Sequence, residues 1–341
     1  MTDTDCETKR VSQAMSPAQG SGARARRDAA LWVPLPHEVA FGLFLVITWF
    51  RLVLKAGPFN GWALAFLAYL LGSVAVIAWA RQKPTPWRWR VRLLYYPAVM
   101  GLSFYTLPYA VSLLGVPGTD ALLLSWDRAL LGETPSVSLL WAASPWLNDL
   151  MMLGYLFFFY YLIAGPAHYC IYDLPRFRAC FVGLFSIYSL GFLGYTLFPA
   201  GGPHRFMEFA TPLAGPWVVR WTLATVNGGS NGMDVFPSIH FAVSFYLLVF
   251  DWSHYRRRFW RLLGPCLLMW FSTLYLRYHY FVDLLAGLAI AGVGLLVWRW
   301  YELSALARET EDQAAQFAYT TGQDVSRPSA ATERQSPMVG G

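Results

Sequence analysis

Long apolar stretches, separated by short polar and basic loops, recur along the chain at residues 38–54, 60–79, 93–114, 147–166, 178–198, 237–252, 262–276 and 282–300. A helix needs roughly 20 predominantly apolar residues to cross a bilayer's hydrocarbon. Eight spanning helices are therefore predicted, the sixth and seventh short enough to be tilted or to end in an interface. The expected fold is all-α, a polytopic membrane helix bundle with about eight transmembrane helices. Residues 1–30 are rich in Ser, Ala, Gly and Arg without apolar periodicity, so a disordered tail is expected there. A second is expected over 303–341. The first tail lacks the apolar core of a signal peptide, which leaves the first spanning segment as the uncleaved targeting signal. Between the tails, residues 31–115 hold three spanning segments and residues 116–302 the other five.

Composition agrees with this pattern. Of 341 residues 56% are hydrophobic and only 13% charged, which excludes an ordinary soluble domain. The net charge of +6 comes from 26 Lys and Arg set between apolar runs rather than clustered with aromatics. That charge reports topology and not a nucleic-acid partner. With the N-terminus inside, sixteen basic residues fall in cytoplasmic loops and tail against six outside. The run at Arg256, Arg257 and Arg258 belongs to this cytoplasmic signal. The preference for Arg over Lys suits a GC-rich genome, so a bacterial plasma membrane is the expected location. The four cysteines show neither metal-ligand spacing nor a disulfide framework.

On this topology His204, His240 and His279 share the non-cytoplasmic end with Arg205, Arg277 and Asp283. The stretch Leu-Arg-Tyr-His-Tyr-Phe-Val-Asp, residues 276–283, puts His279 and Asp283 at the mouth of an apolar helix. Residues four apart on a helix share a face, so Asp283 can hold one ring nitrogen of His279 and leave the other free. A carboxylate-oriented imidazole is a nucleophile or a base; the plain alternative is a satisfied structural pair. In Phe236-Pro237-Ser238-Ile239-His240, proline suits the first turn of a helix. Its unpaired N–H groups would favour an anion such as phosphate, with Ser238 and His240 lining the site. The alternative is an ordinary helix start. Leu-Phe-Pro-Ala-Gly-Gly-Pro-His-Arg-Phe, residues 197–206, is a breaker-rich turn where Arg205 offers a planar fork for phosphate oxygens, or an interface anchor. Arg277 carries the same pair of readings.

Together these stretches resemble the type-2 phosphatidic acid phosphatase superfamily, whose signature joins Lys-x6-Arg-Pro, Pro-Ser-Gly-His and Ser-Arg-x5-His-x3-Asp. Here Ile239 stands for the glycine, Thr273 for the arginine, and Pro203-His204-Arg205 ends the first motif without its lysine. In these departures the chain looks more like the branch of inositol phosphorylceramide synthases, inositolphosphotransferases with a His–His–Asp triad. Its Phe-Pro-Ser-x-His and His-Tyr-x-x-Asp patterns appear at residues 236–240 and 279–283. Trp126-Asp127-Arg128-Ala129-Leu130-Leu131-Gly132 is similar to a segment of that branch. The resemblance covers about residues 127–287 and implies that 116–302 is the catalytic membrane domain.

It further implies a membrane enzyme moving a phosphoryl group from a phospholipid or polyprenyl phosphate to an alcohol or water. His279 would be the nucleophile and form a phosphohistidine, Asp283 its orienting partner, and His240 the acid for the leaving oxygen. Arg205, Ser238 and Arg277 would bind the phosphate; if the segment is helical, Arg277 shares a face with Thr273 and takes over the missing arginine's role. No metal and no cofactor is expected, because guanidinium and backbone donors can carry the charge. Rival readings are a lipid phosphate or polyprenyl diphosphate phosphatase, a serine protease with a dyad built on Ser230, a metal site of His204, His240, His279 and Asp283, and a non-enzymatic transporter or scaffold.

Overall fold

The computed structural model describes residues 34–83 and 85–321, with side chains described through residue 305. The tail at 1–30 lies outside the described residues. Twelve α-helices and no strand are found among them. Each of the eight apolar runs has its helix: α1 Pro36–Ala56, α2 Gly61–Gln82, α3 Pro86–Leu114, α6 Pro145–Tyr172, α7 Leu174–Leu197, α10 Ile239–His254, α11 Arg256–Tyr275 and α12 Phe281–Thr321. Shorter helices link them: α4 Asp120–Leu131, α5 Pro135–Ser138, α8 Pro203–Phe206 and α9 Val218–Gly229. Six helices are long and apolar enough to cross a membrane. Of the remaining two, α10 has only 16 residues and α11 starts on three arginines. The chain is an all-α membrane bundle.

Helix α12 runs on to Thr321, where the sequence suggested a disordered tail from 303. Residues 303–321 are rich in Ala, Glu and Gln, strong helix formers that carry a helix beyond its apolar part. Residues 322–341 lie outside the described residues.

Helix α7 is the axis of the bundle, packed against α1, α3, α6, α10 and α12. Its spanning window is 72% buried, against 22% for the peripheral α2. The three N-terminal helices dock on it through α1 and α3. Glu38 of α1 and Arg92 of α3 form a buried ion pair at 2.5 Å, a fixed joint between two helices because either charge alone would be costly there. Helices α6, α7, α10, α11 and α12 form the other half. The ends of α10, α11 and α12 that carry His240 and His279 meet at one end of the bundle, where α4, α8 and α9 cover them.

Candidate active site

Proline 237 was expected in the first turn of its helix, but α10 starts two residues later. Ser238 is the N-cap, and its Oγ accepts the Phe241 N–H at 3.3 Å. A serine hydroxyl satisfies an N–H that would otherwise be orphaned, worth about 1 kcal/mol, so the serine and not the proline sets the start. His240 falls in the first turn, and the Ser238 Oγ lies 3.3 Å from His279 Nε2. The two motifs, some forty residues apart in sequence, thus share one site. Close approach also requires Gly287, where a Cβ would stand 2.7 Å from the Ser238 carbonyl.

His279 and Asp283, expected four apart on one helix face, do not lie on one helix. Helix α11 ends at Tyr275, and Arg277 turns into the left-handed region at φ 67°. The Tyr278 and His279 N–H groups both donate to the Thr273 carbonyl, at 3.0 and 3.1 Å, closing the helix end. Glycine usually occupies such a left-handed position; an arginine there costs on the order of 1–2 kcal/mol. Arg277 and Thr273 therefore do not share a helical face. His279 lies in the turn before α12, while Asp283 sits in the first turn of α12. Asp283 Oδ2 reaches back to accept the Tyr280 N–H at 2.8 Å and faces His279 Nδ1 at 3.2 Å. Half a capping box has been turned to hold a histidine.

Two aspartates that composition did not single out hold this turn. Asp120 and Asp127 lie one above the other on the buried face of the amphipathic α4. Asp127 accepts the N–H groups of Phe281 and Val282, both at 3.0 Å, so its charge sits on the N-terminus of α12. Thr134 Oγ1 donates to the same carboxylate at 2.7 Å. Asp120 accepts the N–H groups of Gly201 and Gly202 at 3.0 and 2.8 Å and the Tyr280 hydroxyl at 3.1 Å. Gly202 has φ 85°, and a Cβ on it would meet the Tyr278 carbonyl at 2.5 Å. One short helix thus orients both the turn with His279 and the turn with Arg205. The available sequence signal was the pair of acids seven apart in a segment with one apolar face.

A line of hydrogen bonds assigns the protons. Tyr155 Oη lies 3.1 Å from His240 Nε2, His240 Nδ1 lies 3.3 Å from His279 Nε2, and His279 Nδ1 faces Asp283. With Asp283 ionised its carboxylate only accepts, so His279 Nδ1 carries its proton and Nε2 presents a lone pair. His240 must then donate from Nδ1, which leaves its Nε2 to accept from the Tyr155 hydroxyl. Burial pushes the His279 imidazole down to about 4, which keeps it neutral near pH 7. No motif in the sequence pointed to Tyr155.

The cationic residues stand farther out. Arg205 donates from Nη2 to the Asn227 carbonyl at 3.2 Å. The Arg277 guanidinium lies 4.1 Å from the centre of the Phe209 ring, and its buried Nε has no partner among the described residues. Arg277, His204 and Asn227 line a separate pocket of about 180 Å³ behind Tyr278. Both His204 ring nitrogens are buried, and burial together with Arg205 lowers this imidazole to about 4. His240, His279, Asp283 and Ser238 are in mutual contact; neither arginine hydrogen-bonds to them. Ser230 donates to Asp234 Oδ1 at 2.7 Å and so is no part of a Ser–His dyad.

Residues 121–297 match the model of the PAP2 superfamily, the type-2 phosphatidic acid phosphatases. No curated protein and no solved structure matches the chain. That match supports the superfamily and not the inositol phosphorylceramide synthase branch. It takes in α4 from its second residue on, both histidine motifs and Asp283, and it spans more than half of the 341 residues. The chain belongs to the PAP2 superfamily and is an integral membrane protein of the phosphatase type.

Proposed function

We propose that the protein transfers the phosphoryl group of lipid-linked phosphate esters through a covalent phosphohistidine on His279. The observation that carries this reading is the 3.3 Å approach of His240 Nδ1 to His279 Nε2, with Asp283 behind one ring and Tyr155 behind the other. In the first step the Nε2 lone pair attacks phosphorus and a P–N bond forms. The P–O bond to the lipid alcohol breaks, and that oxygen takes the Nδ1 proton of His240, which the charge of the bound phosphate has brought to its doubly protonated imidazolium form, so that His240 is left neutral. Nδ1 is then free to accept a proton from an incoming hydroxyl, whose oxygen attacks phosphorus as the P–N bond breaks and restores His279. Water in the second step completes hydrolysis; a lipid or polyol hydroxyl completes transfer.

Ser238 and the first N–H groups of α10 are in place to bind the non-bridging oxygens, with Arg205 closing over them once its bond to the Asn227 carbonyl is released. The basic-residue bias puts this site on the non-cytoplasmic face. A cysteine at Gly118 should react with an impermeant reagent in intact cells and one at Tyr255 should not; the reverse result would place the site in the cytoplasm.

Incubation of the purified protein with phosphorus-labelled phosphatidic acid or polyprenyl phosphate, with and without inositol, diacylglycerol or ceramide, tests the reaction. Label is expected to leave the donor and to appear on an acceptor or as free phosphate, according to the acceptor present. Release unaffected by any acceptor would identify a phosphatase alone. A protein that leaves every donor intact while taking up a ligand would instead be a transporter.

A further inference from the structure

Beside His240 lies a cavity of about 900 Å³ that changes character along its length. At the site end its lining includes Tyr155, Ser230, Asp234 and His240. At the other end it is lined by Leu94, Ile171 and Phe177, with no charged group. Two hydrogen bonds fix these ends along α3: Asn231 Nδ2 donates to the Phe104 carbonyl at 3.1 Å, and Arg90 Nε donates to the Cys170 carbonyl at 2.7 Å. Tyr155 and Ile171 are 16 residues apart on α6, which at 1.5 Å per residue is about 24 Å. Half of a hydrocarbon core roughly 30 Å thick is only about 15 Å. A chain lying in the cavity with its polar end at His240 would pass the midplane of the membrane. Leu156, Phe158 and Phe159 of α6 line this cavity, and its remaining walls come chiefly from α3 and α7, with α9 and α10 at the site end.

We propose that this cavity seats the single apolar chain of the donor while its phosphate lies at His279, and that α3 makes the cavity a ruler of chain length. The inference rests on the phosphoryl-transfer reading above. A gradient from polar to apolar in one continuous space matches a molecule with a phosphate at one end and a long chain behind it. The depth accommodates chains longer than one leaflet. The wall that sets the width lies outside the region shared with the family, since Pro97, Met100 and Gly101 precede residue 121. This makes chain selection a property added by the N-terminal helices. Because a chain leaving lipid for an apolar cavity gains little from burial alone, selectivity comes from fit: a chain that meets an obstruction is penalised, and a shorter one is not.

Gly101 provides the obstruction. It lines the cavity, and a Cβ built there meets nothing within 4 Å. It stands about 4.5 Å along α3 from Phe104 and about 10 Å from Leu94. The full chain, with Gly101→Phe and Leu94→Trp variants and Gly101→Ala as the folding control, should be assayed on butyl, dodecyl and eicosyl phosphate. The unmodified protein is expected to turn over all three, because its cavity obstructs none of them. Gly101→Phe should lower it by at least about tenfold on dodecyl and eicosyl phosphate, the scale of an overpacking penalty, and leave butyl phosphate within about twofold. Leu94→Trp should affect only the eicosyl ester. Equal losses on all three esters, or no loss on any, would overturn the ruler and leave a bystander bilayer lipid as the occupant, with the phosphoryl-transfer reading intact. If the unmodified protein turns over none of the three and forms no phosphoenzyme, that reading fails and the ruler fails with it.

Discussion

Two buried aspartates near opposite ends of α10 do opposite things. Asp251, in the last turn of α10, receives the guanidinium of Arg258 on both oxygens, the Nε–Oδ2 bond at 2.7 Å, together with the hydroxyls of Tyr161 at 2.8 Å and Tyr169 at 3.3 Å. Its lone pairs are used, and the cluster binds α6, α10 and α11 into one block. Asp283, near the start of α10 but carried on α12, has Oδ1 buried without a hydrogen-bond partner among the described residues, while Oδ2 holds His279. Beyond that histidine the line of bonds runs on through His240 to the Tyr155 hydroxyl. A saturated carboxylate stabilises a fold, and an unsaturated one keeps a reactive group poised.

The comparison breaks most sharply on paired substitutions. Asp283→Asn should lower kcat by about 10⁴-fold, the scale seen when a histidine loses the carboxylate that sets its tautomer, with little change in melting temperature. Arg258→Ala should do the reverse. It leaves Asp251 buried without its cation, at a cost of about 3–5 kcal/mol of stability, while the molecules that remain folded keep their turnover. Thermal unfolding and active-site-normalised kcat on the same samples check both. A large loss of turnover in Arg258→Ala, at a temperature where it is folded, would end the distinction.

In sequence these two clusters looked alike, or were ranked wrongly. His279 and Asp283 drew attention because a charge pair in an apolar setting needs a reason. Asp251 and Arg258 have an equally good reason, yet the arginine was read as part of a topology signal, since nothing local shows that the chain bends back between α10 and α11. Periodicity located every spanning helix because membrane burial is a property of single segments. It did not reveal Asp120 and Asp127, whose partners lie about eighty and 154 residues away, nor the left-handed Arg277, which composition disfavours. Motif residues were legible as types; the tautomers that give them roles follow only from the partners each ring meets in three dimensions.

Smaller effects sharpen the picture. His240→Ala should cost about 10³-fold on alkyl phosphates and far less on an aryl phosphate, whose leaving group needs little protonation; equal losses on both would remove His240 as the acid. Asp127→Asn weakens the hold on the first turn of α12. A drop in kcat of about 10²-fold is expected, the result of a small misplacement of His279, with KM changed little; an unchanged kcat would show that the α12 start holds its position without that charge. Tyr155→Phe removes one neutral hydrogen bond, worth about 1 kcal/mol, so a loss of about fivefold is expected. A larger loss on alkyl than on aryl phosphates would mark it as acting through His240. No such difference would make Tyr155 a packing residue.

The central claim is that His279 carries the phosphoryl group, and covalent trapping tests it most directly. The protein is mixed briefly with phosphorus-labelled donor at pH 7, quenched in alkali and digested. Because burial pushes the His279 imidazole down to about 4, it is neutral at pH 7 and should lose reactivity only as the pH falls through that value. The account predicts alkali-stable, acid-labile label on the peptide containing His279, present in His240→Ala and absent in His279→Ala. Label on His279→Ala protein, or turnover by that variant at the unmodified rate, would contradict it.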